Sequence, residues 1–253
     1  MSVTPKKALG QHFLVDENIL RVIERLAELA PDDVILEVGP GLGILTRYLA
    51  ERVAHVHAVE IDRSLESHLH GGPNVDLHWG DALRLDLTSL APPPSKLVAN
   101  LPYNVATPLV VESLERLPSL TRWCVMVQRE VADRFFASPG TKAYGAVSVL
   151  VQLAAERTGS HPVSREVFRP RPNVDSALVA FRRAAPPPPP GVKRVVEAAF
   201  AHRRKTLANS LALAGVASRE RAAEALRTIG RESGVRAESL SPPEFVLLAA
   251  ALA

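Results

Sequence analysis

Three glycines at positions 39, 41 and 43 constrain the fold more than any other feature of this chain. They follow an apolar, β-branched run from Val34 to Val38 that reads as a buried strand, and a helical pattern begins just after them near Ile44. Glycines at such a junction let the backbone turn sharply and come close to a ligand. Strand, glycine turn and helix then recur with further strands before residue 185, an alternation that requires a parallel sheet flanked by helices.

Glycine spacing also narrows what the turn can hold. A dinucleotide fingerprint places its third small residue three positions after the second glycine, where this chain has Ile44. Gly43 stands only two positions after Gly41, the tighter form typical of S-adenosylmethionine enzymes. The alternative is a tight turn with no ligand. Two carboxylates add to the cofactor reading. His55 to Val59 reads as the next strand, and Glu60 at its end can accept hydrogen bonds from both hydroxyls of a ribose. Val75 to Trp79 reads as the strand after that, followed by Gly80 and Asp81; Asp81 suits an adenine amine, or a helix cap.

Asn100-Leu101-Pro102-Tyr103 then indicates which substrate atom reacts. Lys96 to Ala99 reads as a buried strand, and the tetrapeptide sits at its carboxyl end, where open α/β sheets do their chemistry. It offers an amide oxygen on Asn100, a stiffened Leu101 carbonyl before the proline, and the Tyr103 ring. A planar exocyclic amine is a poor nucleophile because its lone pair is delocalised. Two acceptors for its N–H groups favour the pyramidal nitrogen, and the ring can stack on a base. The reading is methylation of a nucleobase amine by direct in-line transfer, with neither a metal nor a general base.

Length and composition bound the rest. The chain has 253 residues, 47% of them hydrophobic, enough for one large α/β core and a smaller unit. No run reaches the roughly 20 apolar residues of a membrane span, and Met1 to Lys7 leads into no apolar signal region, so a cytoplasmic enzyme is expected. Cys124, the only cysteine, lies in the strand-like run Trp123 to Val127 and is expected to be a buried, inert thiol. No ligands stand at the spacing of a structural zinc site, so no metal is expected.

Pro186 to Pro190 form a semi-rigid spacer, and residues 186–191 are expected to link domains at 1–185 and 192–253. Helical patterns follow at Val192–His202, Lys205–Ala214, Arg219–Ile229 and Pro243–Leu252, punctuated by Gly215, Gly230 and Gly234. Residues 186–253 hold ten basic and six acidic side chains, within a chain of net charge +3, which points to contact with phosphates. Near the other end, Asp16 is expected to cap a helix running to about Ala30, with Ile19, Leu20, Ile23 and Leu26 facing inward.

The chain resembles the KsgA family of ribosomal RNA adenine N6,N6-dimethyltransferases. The likeness is carried by Lys7 to Leu14, Glu37 to Thr46, Asn100 to Pro108, Val127 to Ala132, Ala143 to Gly145, Phe168 to Ala177 and Arg203 to Leu207, in family order. It implies a Rossmann-like class I methyltransferase domain with a seven-stranded, mostly parallel sheet, and a small all-helical C-terminal domain that binds RNA through Arg203, Arg204 and Lys205. It further implies that His12 and Leu14 close over S-adenosylmethionine, that Gly39 lines the methionine end beside Gly41, that Glu60 holds the ribose and Asp81 the adenine, and that Asn100 meets donor and target alike. His12 replaces the asparagine frequent in the family, so a backbone contact is expected there. Tyr103 and Phe168 are expected to stack on either face of the target adenine, with a core aromatic as the alternative for Phe168. The implied substrate is a pair of adjacent adenosines near the 3′ end of small-subunit ribosomal RNA in a pre-assembled particle, and nothing demands more than a monomer. The rivals are the erythromycin-resistance family acting on large-subunit RNA, a non-catalytic assembly or transcription factor, and an NAD-dependent dehydrogenase, which the glycine spacing fits poorly.

Overall fold

The computed structural model describes residues 5–6, 9–69 and 72–253. Met1 to Thr4, and Lys7 and Ala8 of the Lys7–Leu14 run, lie outside the described residues. The chain divides into two compact units, Met1–Ala132 with Arg157–Arg183, and Asp133–Glu156 with Ala184–Ala253.

The first unit is built on a sheet of β2 (Val34–Val38), β3 (His55–Glu60), β4 (Val75–Trp79), β5 (Lys96–Asn100), β6 (Arg122–Gln128), β7 (Ala155–Val163) and β9 (Ser176–Arg183). Among the described residues it has seven strands in the order β4-β3-β2-β5-β6-β9-β7. The ladder from β4 to β6 is parallel, and β9 runs antiparallel to β6. Chain order steps outward from β2 to β3 and β4, then returns to the other side of β2 with β5. That reversal opens a crevice at the carboxyl ends of β2 and β5, the usual ligand position in such sheets. A short antiparallel pair, β1 (Phe13–Leu14) with β8 (Phe168–Arg169), stands apart from the main sheet.

Helix α1 (Glu17–Ala27) begins where Asp16 accepts from the Asn18 N–H at 2.8 Å. It stops three residues short of Ala30 because Glu28 takes a left-handed conformation (φ 48°) and turns its N–H back onto the last turn. Ile19, Leu20 and Ile23 are buried in one cluster with Ile35, Val98, Met126 and Leu178, while Leu26 is half-buried against it. Helices α2 (Ile44–Ala50) and α3 (Ala106–Arg116) follow β2 and β5. Cys124 is buried in β6, and burial pushes its thiol up to about 12, in keeping with an inert side chain.

After α4 (Arg129–Phe135), the second unit collects α5 (Ala146–Ala154), α6 (Pro190–Ala201), α7 (Leu207–Leu213), α8 (Arg219–Thr228) and α9 (Pro242–Leu252). Residues 133–156 group with these helices, which departs from the division expected at residue 185. The physical reason is Tyr144. Its ring is buried edge-on to Phe200 at 5.9 Å, and its hydroxyl donates to the Leu240 carbonyl at 2.8 Å. The proline run also ends differently from the expected linker: Pro190 is the first residue of α6, a position that needs no backbone donor. Gly215 and Gly230 have positive φ at helix ends, as their positions suggested, whereas Gly234 does not. No helix among the described residues is long and apolar enough to cross a membrane.

Candidate active site

The crevice at the strand ends is an open cleft of about 720 Å³, counting its solvent-filled mouth. Residues 9–14, 37–45, 60–61 and 100–103 contribute its lining. Three loops have to approach one another closely here, and two glycines permit it. A Cβ on Gly39 (φ 75°) would sit 3.0 Å from the Pro102 ring, so the β2 and β5 loops touch only because it is absent. A Cβ on Gly41 (φ 60°) would lie 2.9 Å from the Phe13 ring.

Asn100 ends β5 with its amide already oriented. Its Nδ2 donates to the His12 carbonyl at 3.2 Å, and a carbonyl only accepts, so Oδ1 is the atom left facing away from His12. Leu101 is buried and its N–H donates to the Met126 carbonyl at 3.0 Å, which holds the peptide before Pro102 in place. The Tyr103 hydroxyl shares a 2.7 Å hydrogen bond with Ser176, and its ring lies 5.6 Å from that of His12. Burial raises the Tyr103 phenol above its ordinary range, so it stays protonated.

Glu60 is buried at the end of β3. Its Oε1 accepts from the Asp62 N–H at 2.9 Å and its Oε2 from the Gly41 N–H at 3.2 Å, which ties the glycine turn to the neighbouring strand. Burial raises its carboxyl despite those bonds. Asp81 lies in an adjoining hollow that also touches Gly39, Glu60 and Pro102. Its Oδ1 accepts from the Leu83 N–H at 3.0 Å, so it caps the following turn while still lining the hollow. Of the two sequence readings of Asp81, the cap is the one seen here.

The N-terminal segment forms one wall. Leu14 lines the cleft and pairs with Phe168, while the His12 ring nitrogen Nδ1 lies 2.7 Å from the Pro170 carbonyl, to which it donates. The His12 carbonyl accepts from the Asn100 amide, and His12 lines the cleft. Phe168 corrects an expectation: it is fully buried in the α1 and sheet cluster and does not line the cleft. The β1–β8 pairing sets it opposite Leu14, and both side chains belong to that core cluster, the alternative the sequence had left open. Its contribution is to fix Leu14.

Two residues at the site, Asp62 and Glu37, were given no role from the sequence. Asp62 accepts from Lys6 at 2.5 Å and Gln11 at 2.8 Å, which anchors the N-terminal segment over the cleft. Burial opposes its charge, but Lys6, Ser64 and Gln11 together hold the carboxyl well below the usual range. Glu37 is buried at the end of β2 and lines the cleft. Its Oε2 has no hydrogen-bond partner, and burial, reinforced by the Glu60 charge, pushes its carboxyl up to about 8. Its signal in the sequence was its place at the head of the Glu37–Thr46 run, at the end of β2 beside the crevice.

In the second unit, Arg203, Arg204 and Lys205 are exposed. Arg203 nevertheless donates to the Tyr144 carbonyl at 2.9 Å and the Lys142 carbonyl at 3.3 Å, so part of its work is to hold the 133–156 segment.

Comparison with known proteins gives one picture. A model of the family described as ribosomal RNA adenine dimethylase matches residues 3–249. The chain is 51% identical to the ribosomal RNA small subunit methyltransferase A of Rubrobacter xylanophilus over 96% of its own length and 94% of the relative's. It is 42% identical to the protein of that name from Geobacter metallireducens over 99% and 96% of the two chains. Among solved structures, the 23S rRNA methyltransferase ErmE is 28% identical, with a TM-score of 0.66 over 95% of this chain and 99% of that one. A dimethyladenosine transferase from Plasmodium falciparum shares the fold, with a TM-score of 0.75 at 22% identity over 94% and 96% of the chains.

Proposed function

This chain belongs to the ribosomal RNA adenine dimethylase family, and on that premise we propose that it uses S-adenosylmethionine to dimethylate two adjacent adenosines near the 3′ end of small-subunit ribosomal RNA. It is an enzyme of small-subunit ribosomal RNA adenine dimethylation. The observation that carries the finer reading is the oriented Asn100 amide beside the Leu101–Pro102 peptide at the switch point of the sheet.

The cleft suits that donor. Buried carboxyls at the ends of β2 and β3 can take its cationic amino-acid end and its ribose hydroxyls, and Asp81 can meet its adenine. The donor supplies a methyl group that is electrophilic because it is bound to a sulfonium. The chain's own residues do the rest. The Asn100 amide oxygen and the Leu101 carbonyl accept the two N–H bonds of the target amine, which keeps its lone pair on nitrogen. Tyr103, held by Ser176, offers one face to the base and recovers roughly 1–3 kcal/mol of the unstacking cost. Leu14 and the segment anchored on Asp62 shield the site from water. Alignment of this kind contributes on the order of 7–11 kcal/mol to a two-reactant step.

Residues 1–185 are proposed as the catalytic part and the C-terminal helices as the RNA-contacting part, with residues 133–156 built into the latter. The enzyme is proposed to act in the cytoplasm as a monomer on a pre-assembled small subunit. Labelled S-adenosylmethionine, undermethylated small and large subunits and separation of the nucleosides test the reading. N6,N6-dimethyladenosine from the small subunit supports it; label in the large subunit would move the enzyme to the resistance type that ErmE represents.

Two variants extend the test. Gly41→Ala forces a side chain into left-handed backbone, costing roughly 1–2 kcal/mol, and drives its methyl into the Phe13 ring. A lower melting temperature and weaker S-adenosylmethionine binding by titration are expected, and unchanged binding would remove Phe13 from the cleft wall. Arg204→Ala with Lys205→Ala is expected to weaken RNA binding and to flatten its salt dependence by about 0.7 per lost phosphate contact. An unchanged slope would assign both side chains to packing.

A further inference from the structure

A second cluster of ligating side chains lies on the sheet away from the cleft. β4 is the terminal strand and β3 its neighbour. Strand side chains alternate between faces, so His55 and His57 of β3 share a face with Asp76 and His78 of β4, and the parallel register sets His57 directly opposite Asp76. His55 Nε2 lies 3.0 Å from Asp76 Oδ2. His57 Nδ1 lies 3.8 Å from the same oxygen and 3.1 Å from His78 Nε2. One ligand atom each from His55, His57 and Asp76 falls within 4.8 Å of the others.

The tautomer of His57 favours a metal. Its Nε2 lies 2.8 Å from the Pro92 carbonyl, which only accepts, so the ring proton is on Nε2 and the Nδ1 lone pair faces the cluster. Metal-bound histidines characteristically donate their other ring N–H to such a carbonyl, which fixes ring orientation. A tetrahedral cation with bonds of about 2.0–2.1 Å separates its ligands by about 3.3–3.4 Å. Within the trio, the His55–Asp76 and His57–Asp76 separations of 3.0 and 3.8 Å lie on either side of that spacing. Imidazoles with one carboxylate select zinc and its transition-metal neighbours over magnesium or calcium, which prefer oxygen-only shells.

We propose that His55, His57 and Asp76 form a binding site for a zinc-type divalent cation that clamps the terminal strand β4 to β3. Such a site would revise the expectation of no metal: its ligands are a His-x-His pair on one strand and an aspartate on the next, a spacing that resembles no zinc motif along the chain. Since β3 ends at Glu60 and β4 leads to Asp81, a clamp there also steadies the two carboxylates assigned to the donor.

The test uses the full chain, free of any affinity tag and stripped with a chelator, titrated with zinc by calorimetry and with cobalt(II) by visible absorption. Saturation at one equivalent, tetrahedral cobalt bands and a rise in melting temperature with zinc are expected. His55→Ala and Asp76→Asn, both at partly exposed positions, are each expected to weaken binding about 10-fold or more and to abolish the rise, with circular dichroism unchanged. Absence of saturable binding to the folded protein, or variants that bind as the parent does, would overturn the site and leave the cluster a hydrogen-bonded network.

Discussion

Asn100→Ala is expected to slow single-turnover methyl transfer by about 10²–10³-fold, the scale seen when one preorganised hydrogen-bonding group at a reacting centre is lost. The side chain is held by the His12 carbonyl through Nδ2, which leaves Oδ1 as the acceptor for the target amine. That bond strengthens as the nitrogen becomes pyramidal and then cationic, so its loss falls on the chemical step. Glu60, Glu37 and the glycine turn remain, and S-adenosylmethionine binding should persist in a weakened form. A rapid-quench measurement with saturating donor separates the two effects. A single-turnover rate equal to that of the parent would remove Asn100 from the reacting centre.

Glu37→Gln should raise stability at pH 8 far more than at pH 5. The folded protein keeps a proton on Glu37 up to about pH 8, whereas an unpaired glutamate carboxyl releases it around 4.5. Between those limits the unfolded chain releases a proton that the folded chain holds. Stability therefore falls as pH rises, by about 1.4 kcal/mol per unit, and levels off above pH 8. The loss accumulated between pH 5 and pH 8 is on the order of 3–4 kcal/mol, and glutamine, which does not titrate, escapes it. Melting temperatures of parent and variant across pH 5–8 should diverge, by roughly 6–16 °C at the upper end. Parallel curves would show that Glu37 is not held protonated. The same variant is expected to bind S-adenosylmethionine less tightly, because the buried Oε2 that awaits a partner is then an amide.

Much of the site was legible because its elements are local. Strands β2, β3, β4 and β5 are short apolar runs, and Gly39, Glu60, Asp81 and Asn100 each stand at the end of one of them or within two residues of it. Strand ends in a parallel sheet share one edge, so residues after successive strands converge without further information. The C-terminal helices were legible for a similar reason: apolar periodicity and helix-end glycines are properties of a few turns of chain. Phe168 was not legible in this way. The sequence left it between stacking on the base and a place in the core, and only its pairing with Leu14 sets it in the core. Arg203 likewise read as a phosphate contact, and only the packed unit brings the Tyr144 carbonyl within 2.9 Å of its guanidinium.

By itself the sequence determined the order of strands and helices, the glycine turn, and the chemical types gathered at the strand ends, because these depend on side-chain period and backbone freedom over a few residues. Tertiary structure alone decided which of those groups are charged, oriented or hidden. The protonation of Glu37 depends on burial, the direction of the Asn100 amide on a carbonyl 88 residues away, and the meeting of His55 with Asp76 on the register of two strands. Desolvation and hydrogen-bond geometry arise between segments far apart in the chain, and they exist only once those segments have packed.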